Sequence, residues 1–123
     1  MKGEALLLLA FVLAASATRK KIMLPVELVA LARKTGFPDP EVAAAIAMAE
    51  SGGNPEAVGD SGKSIGLWQI HLPSHPEFGF QDLKNPEVNA RAAFAISRNG
   101  TDWTPWSVYK SGAYLKFLRR PSA

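Results

Sequence analysis

Prolines divide this chain more sharply than any other feature. Pro25, Pro40, Pro86 and Pro105 each head a segment whose apolar residues recur at helical spacing, and glycines follow those segments. A proline inside a helix costs about 3 kcal/mol, whereas in the first turn its missing N–H is a donor that had no partner anyway. The chain must therefore fold as several short helices. The first runs from Pro25 to Gly36 with Leu24, Leu28, Leu31 and Ala32 on one face. In the second, Asp39 caps, Pro40 occupies the first turn, and the helix passes through Val42, Ile46 and Glu50 until Ser51-Gly52-Gly53 stops it. Asn85 and Pro86 start a third, in which Val88, Ala92, Ala95 and Ile96 recur before Asn99-Gly100. Thr104 and Pro105 start a fourth around Trp106 to Tyr109, which breaks at Gly112 and resumes toward Leu118.

Between the second and third helices, Gly52 to Ser64 is rich in Gly, Asn, Pro, Asp and Ser. That composition is a loop, with a short hairpin around Asp60-Ser61-Gly62. No internal repeat or low-complexity tract is present. A mostly α fold follows, a small helical domain with a polar loop or hairpin at one side. At 123 residues there is room for one domain, residues 22–123, behind a leader at residues 1–21.

The leader differs from the rest. Ala5 to Ala15 is an unbroken apolar run, and Ala15-Ser16-Ala17 has the small-x-small form of a signal-peptidase site. Glu4 offsets Lys2 ahead of the run, however, and Arg19, Lys20 and Lys21 follow it, which is the reverse of the bias that favours export. A signal peptide, a membrane-surface anchor and an extra helix packed on the domain all stay open. The run is shorter than the roughly 20 residues of a spanning helix, so no stable transmembrane span is expected.

A net charge of +3 favours an anionic partner, but the longest basic run is Arg19-Lys20-Lys21 and no nucleic-acid motif accompanies it. Nucleic acid is not an expected partner; the polyanionic bacterial wall is one candidate. The chain has no cysteine, which removes disulfides and thiolate metal sites, and only His71 and His75 remain as imidazole ligands. These are four residues apart, yet Pro73 and Pro76 interrupt the segment and no third ligand is apparent. No metal and no cofactor are expected.

Glu50 breaks the pattern of its helix. Positions 43, 46, 47 and 50 share a face, and the first three are Ala43, Ile46 and Ala47. A carboxyl that ends an apolar stripe at the negative end of a helix is disfavoured as an anion by desolvation and by the dipole, so its pKa should rise. A general acid for glycoside cleavage needs that property, because a glutamate near 4.3 holds little proton at neutral pH. The same residue at a frayed helix end would simply face water.

Its neighbours decide between these. Ala49-Glu50-Ser51-Gly52-Gly53-Asn54-Pro55, then Gly66-Leu67-Trp68-Gln69-Ile70, then Tyr109-Lys110-Ser111-Gly112 occur in order. The set resembles the lytic transglycosylases of the lysozyme-like superfamily over about Leu24 to Leu118, with Lys110 where that family often has Asn. The resemblance implies a small lysozyme-like helical domain with its loop or hairpin beside a catalytic cleft. It also implies Glu50 as catalytic acid and base, with Ser51, Gln69, Tyr109 and Gly66 contacting substrate. Trp68, Trp103 and Trp106 could stack on sugars, although core packing suits each better. Arg91 and Arg98 read as solvated charge.

Most glycosidases use two carboxylates. Here Asp60, in the loop after Glu50, is the second candidate, with a turn role as its plain alternative. The resemblance implies a route that needs only one: cleavage of the β-1,4 bond between N-acetylmuramic acid and N-acetylglucosamine in peptidoglycan, leaving a 1,6-anhydro-muramic end. Hydrolysis of the same bond by a lysozyme and a non-catalytic wall-binding or virion structural role are the alternatives. The expected partner is the glycan strand, met by a monomer that is secreted, held in the cell envelope, or carried on a virion if phage-encoded.

Overall fold

A computed structural model describes residues 21–120, so the leader read over residues 1–21 lies outside it but for Lys21. Helix α1 spans Pro25–Thr35 and α2 spans Pro40–Ser51. Three two-residue strands follow: β1 (Val58–Gly59), β2 (Ser64–Ile65) and β3 (Ile70–His71). Helix α3 is Pro86–Ile96 and α4 is Ser107–Lys110, with single 3-10 turns at Asp60–Gly62, Pro76–Phe78 and Ala113–Phe117. The fold is mostly α with a small antiparallel sheet of order β1-β2-β3.

α1, α2 and α3 each start at their proline, whereas α4 starts at Ser107, two residues past Pro105 and with Trp106 in the cap position, rather than at the Thr104-Pro105 pair expected from sequence. Asp39 accepts the Val42 N–H at 3.2 Å and Asn85 accepts those of Glu87 and Val88, so donors left free by the first turn are satisfied locally. The hairpin expected at Asp60-Ser61-Gly62 is present, with Val58 opposite Ile65 and Gly59 opposite Ser64. β3 then adds Ser64 opposite His71 and Ile65 opposite Ile70.

α2 lies at the centre. Ala43 through Ala47 are all buried, so this helix is apolar around its whole girth, as a helix enclosed by others must be. α1 and the Ala113–Phe117 turn pack on it, and α3 packs on α1. Beside it stands an aromatic cluster. Phe37 stacks on Trp68 and Trp103, at 5.9 and 5.4 Å between centroids, and meets Phe94 edge-on. The Trp68 indole N–H donates to the Ala43 carbonyl at 3.0 Å, and that of Trp106 to the Trp68 carbonyl at 2.8 Å. Trp68 and Trp103 are thereby core residues, as their packing preference suggested.

Two faces differ from their expected register. Leu24 is the cap of α1 and is exposed, because the face closes one turn later on Leu28, Leu31 and Ala32. On α3 the buried residues are Asn89, Ala90, Ala92 and Ala93, and Ala95 faces solvent. The stripe is turned by a buried asparagine that apolar periodicity does not count.

Candidate active site

The end of α2 places Glu50. One residue on, the Ser51 hydroxyl donates to the Ala47 carbonyl at 2.9 Å and accepts the Gly53 N–H at 3.2 Å, while the Gly52 N–H reaches the Met48 carbonyl. These bonds stop the helix in place. Gly53 then lies against the segment entering α1: its carbonyl accepts the Met23 N–H at 2.7 Å, and a Cβ at this position would overlap the Met23 carbonyl oxygen. Ser51 is thus spent on the helix terminus and does not line the cleft.

Glu50, half-buried, opens onto a cleft of about 240 Å³ that Asp60, Ser64 and Gln69 also line. Among the described residues the Glu50 carboxyl accepts no hydrogen bond. Burial, and second to it the negative charge of Asp60, push its pKa from 4.5 up to about 7. The rise expected from sequence is present, with Asp60 as a contributor that only the fold brings near.

Asp60 is held in turn. Its backbone is left-handed, at a φ of 51°, and its Oδ2 accepts the hydroxyl proton of the buried Ser64 at 2.5 Å. Gln69 is also left-handed, at 47°, and both protons of its amide are committed, to the Ala57 carbonyl at 3.1 Å and the Gly66 carbonyl at 3.0 Å. It braces the sheet from inside the cleft, and only its carbonyl oxygen remains to accept from a ligand.

Glu50, Asp60 and Gln69 line the cleft together, whereas Gly66, whose carbonyl accepts the Gln69 amide, and Tyr109 are not among its lining residues. Gly66 is buried, at a φ of 81°, where a Cβ would overlap the Asn89 amide and the Leu83 carbonyl. Tyr109 stacks on Tyr114 at 5.1 Å between centroids. Arg91 and Arg98 are exposed. Several lining residues gave no sequence signal for this position: Ser64, His71, Ser74, His75 and Ser107. Trp106, though buried, supplies part of the wall.

The raised pKa has a consequence for stability. Between 4.5 and about 7 the folded chain holds a proton at Glu50 that the unfolded chain has released, so the contribution of this group falls as pH rises through that window. Glu50→Gln, which cannot ionise, should match the parent below pH 4.5 and exceed it in thermal stability above pH 7. Melting curves across this range test it; a gap that is constant with pH removes the buried-acid reading.

Among the described residues, no helix is long and apolar enough to cross a membrane, and no three His, Asp or Glu side chains gather as a metal site. A family model for a lysozyme-like domain matches residues 29–108, from within α1 to within α4. No curated protein and no solved structure matches the chain. The match covers well over half of the 123 residues and contains Glu50, Asp60 and Gln69, and the chain therefore belongs to the lysozyme-like domain family.

Proposed function

We propose that this protein cleaves the β-1,4 bond between N-acetylmuramic acid and N-acetylglucosamine in peptidoglycan, leaving a 1,6-anhydro-muramic end. The observation that carries the reading is Glu50, a carboxyl open to the cleft whose pKa, about 7, leaves it protonated in a large fraction of molecules near neutral pH. Glu50 gives its proton to the leaving glycosidic oxygen as the bond to C1 breaks. The N-acetyl group of the substrate supports the cationic centre, the sugar's 6-oxygen bonds to C1, and its proton passes to Glu50. Acid and base are one residue, restored at the end of the cycle. Membership of a family that is generally glycosidase or transglycosylase supports this, as does the position of Asp60, whose charge favours the protonated form of Glu50. We place the activity at the cell envelope, outside the cell or on a virion.

One observation favours hydrolysis as the second reading. Asp60 lines the same cleft, and the oxygen that does not accept from Ser64 could hold a water. Mass spectrometry of the digested wall separates the two, since an anhydro end is lighter than a hydrolysed end by one water. Anhydro ends are expected to predominate, because the 6-hydroxyl is tethered to the reacting sugar and well-placed intramolecular groups reach effective concentrations of roughly 10⁵ to 10⁸ M. Fully hydrated ends whose formation Asp60→Asn abolishes would make the protein a hydrolytic lysozyme. No cleavage at all, with binding intact, would leave a wall-binding or virion structural domain.

A further inference from the structure

The helix that carries Glu50 ends at a point held from outside it. The Ser51 hydroxyl sits between the Ala47 carbonyl, to which it donates, and the Gly53 N–H, which it accepts, so the last turn of α2 is only as fixed as Gly53. Gly53 is fixed in turn by Met23, whose N–H donates to its carbonyl at 2.7 Å. The segment that supplies this bond is itself pinned. The Leu24 N–H donates to Glu27 Oε1 at 2.8 Å, Lys21 lies 3.8 Å from the other oxygen of that carboxylate, and the partly buried Met23 packs against the core. A line of hydrogen bonds therefore runs from the entry of α1 to the turn on which Glu50 stands, through Met23, Gly53, Ser51 and Ala47.

The two glycines that end α2 differ in their surroundings. Both are left-handed, at φ of 63° and 83°, where an L side chain is strained. A Cβ on Gly52 would meet open space, whereas one on Gly53 would overlap the Met23 carbonyl oxygen. Stopping the helix explains the first glycine; the close approach of Met23 explains the second. Met23 also lies ahead of residue 29, where the family likeness begins, so this contact is made by the chain's own entry segment.

We propose that Met23 and Gly53 are positioning residues for the acid: the backbone bond between them keeps the last turn of α2 from fraying and so holds the Glu50 carboxyl half-buried against the cleft. This deepens the proposed function and rests on its assignment of Glu50 as the acid. Terminal turns open at little cost unless they are tied down, and an opened turn would pass Glu50 to water. Burial is the main cause of its raised pKa, so the loss falls on the protonated fraction. Asp60, His71 and His75 are the ionisable groups that share the cleft with Glu50; Tyr109 and Lys110 of α4, and Tyr114 and Lys116 of the turn after it, do not line it. On the entry segment, Lys21 and Glu27 face each other. The substitutions that test the brace leave all of these in place.

Four single substitutions are made in the full-length chain. Gly53→Ala pushes Met23 away, and Met23→Pro removes the N–H donor. Gly52→Ala carries a like backbone strain without the overlap, and Met23→Ala loses the side chain but keeps the bond. The Glu50 carboxyl carbon is titrated by NMR, and kcat/KM on purified wall is followed with pH. In Gly53→Ala and Met23→Pro the midpoint should fall from about 7 to about 6. That lowers the protonated fraction, and with it kcat/KM, about fivefold at pH 7 and by little at pH 5. Gly52→Ala and Met23→Ala should titrate as the parent does. Should Gly53→Ala fail to fold, Met23→Pro carries the comparison with Met23→Ala. An unmoved midpoint in Met23→Pro, an equal shift in either control, or a deficit of the same size at pH 5 and pH 7 overturns the brace. The titration needs no turnover, which separates the two claims. A shifted midpoint in a protein that leaves the wall intact keeps the brace and removes the proposed function, whereas parent-like midpoints beside released anhydro ends do the reverse.

Discussion

Glu50→Gln should fold as the parent does and lose wall lysis by at least about 10²-fold, because general acid and general base assistance are worth roughly 10² to 10⁴ each and both fall on this residue. The amide keeps the shape and the polar surface at the end of α2 and removes the transferable proton. The variant tests chemistry and not packing, since Glu50 makes no hydrogen bond among the described residues that glutamine would break. A pH profile adds a signature that a structural role would not give. With its pKa raised to about 7, Glu50 is protonated below that value, so kcat/KM of the parent should decline as pH rises through it. Asp60→Asn removes the second cause of the elevation and should move that decline to lower pH. Retention of more than about a tenth of the activity in purified Glu50→Gln would exclude Glu50 as the acid, given those magnitudes.

How much of this site the sequence displays depends on how far apart in the chain the partners lie. Glu50 is legible because its signals are local: Asp39-Pro40 starts the helix, Ser51-Gly52 ends it, and Ala43, Ile46 and Ala47 mark the face. Its elevated pKa is half legible. Burial follows from that face, but the charge of Asp60 reaches Glu50 through a turn whose geometry rests on Ser64. The sheet is less legible still, since strands of two residues carry no alternation to detect, and β3 exists only by pairing with β2. His71 and His75 show four-residue spacing, which suggests a metal before it suggests a cleft wall. Gln69 was identifiable by motif, yet motif alone cannot tell an amide aimed at a ligand from one whose protons are spent on Ala57 and Gly66.

Asn89 is the residue that apolar periodicity passes over, and its loss should be among the costliest in the molecule. It is fully buried and uses its whole amide: Oδ1 accepts the Trp68 N–H at 2.9 Å, while Nδ2 donates to the Ile65 carbonyl at 2.9 Å and the Leu83 carbonyl at 2.8 Å. Asn89→Ala strands the buried Trp68 N–H and Leu83 carbonyl and the part-buried Ile65 carbonyl in a space too confined for easy rearrangement, Gly66 being pressed against the same amide. Each stranded group costs about 1 to 3 kcal/mol, so with partial relaxation the loss should be about 3 to 5 kcal/mol. Asn85, on the same helix, supplies the control. It caps α3 from a partly exposed position, and Asn85→Ala should cost only about 1 kcal/mol. Urea unfolding of both variants measures the contrast; a cost at Asn89 no larger than that at Asn85 would show that water enters and replaces the amide. Ile65 and Trp68 bracket the turn that leads to Gln69, so at temperatures where Asn89→Ala is still folded its cleft should already be loosened. Activity should then fall before the helical signal does, because Glu50 stands on α2 while Gln69 and the imidazole wall hang from the segment that Asn89 ties to α3.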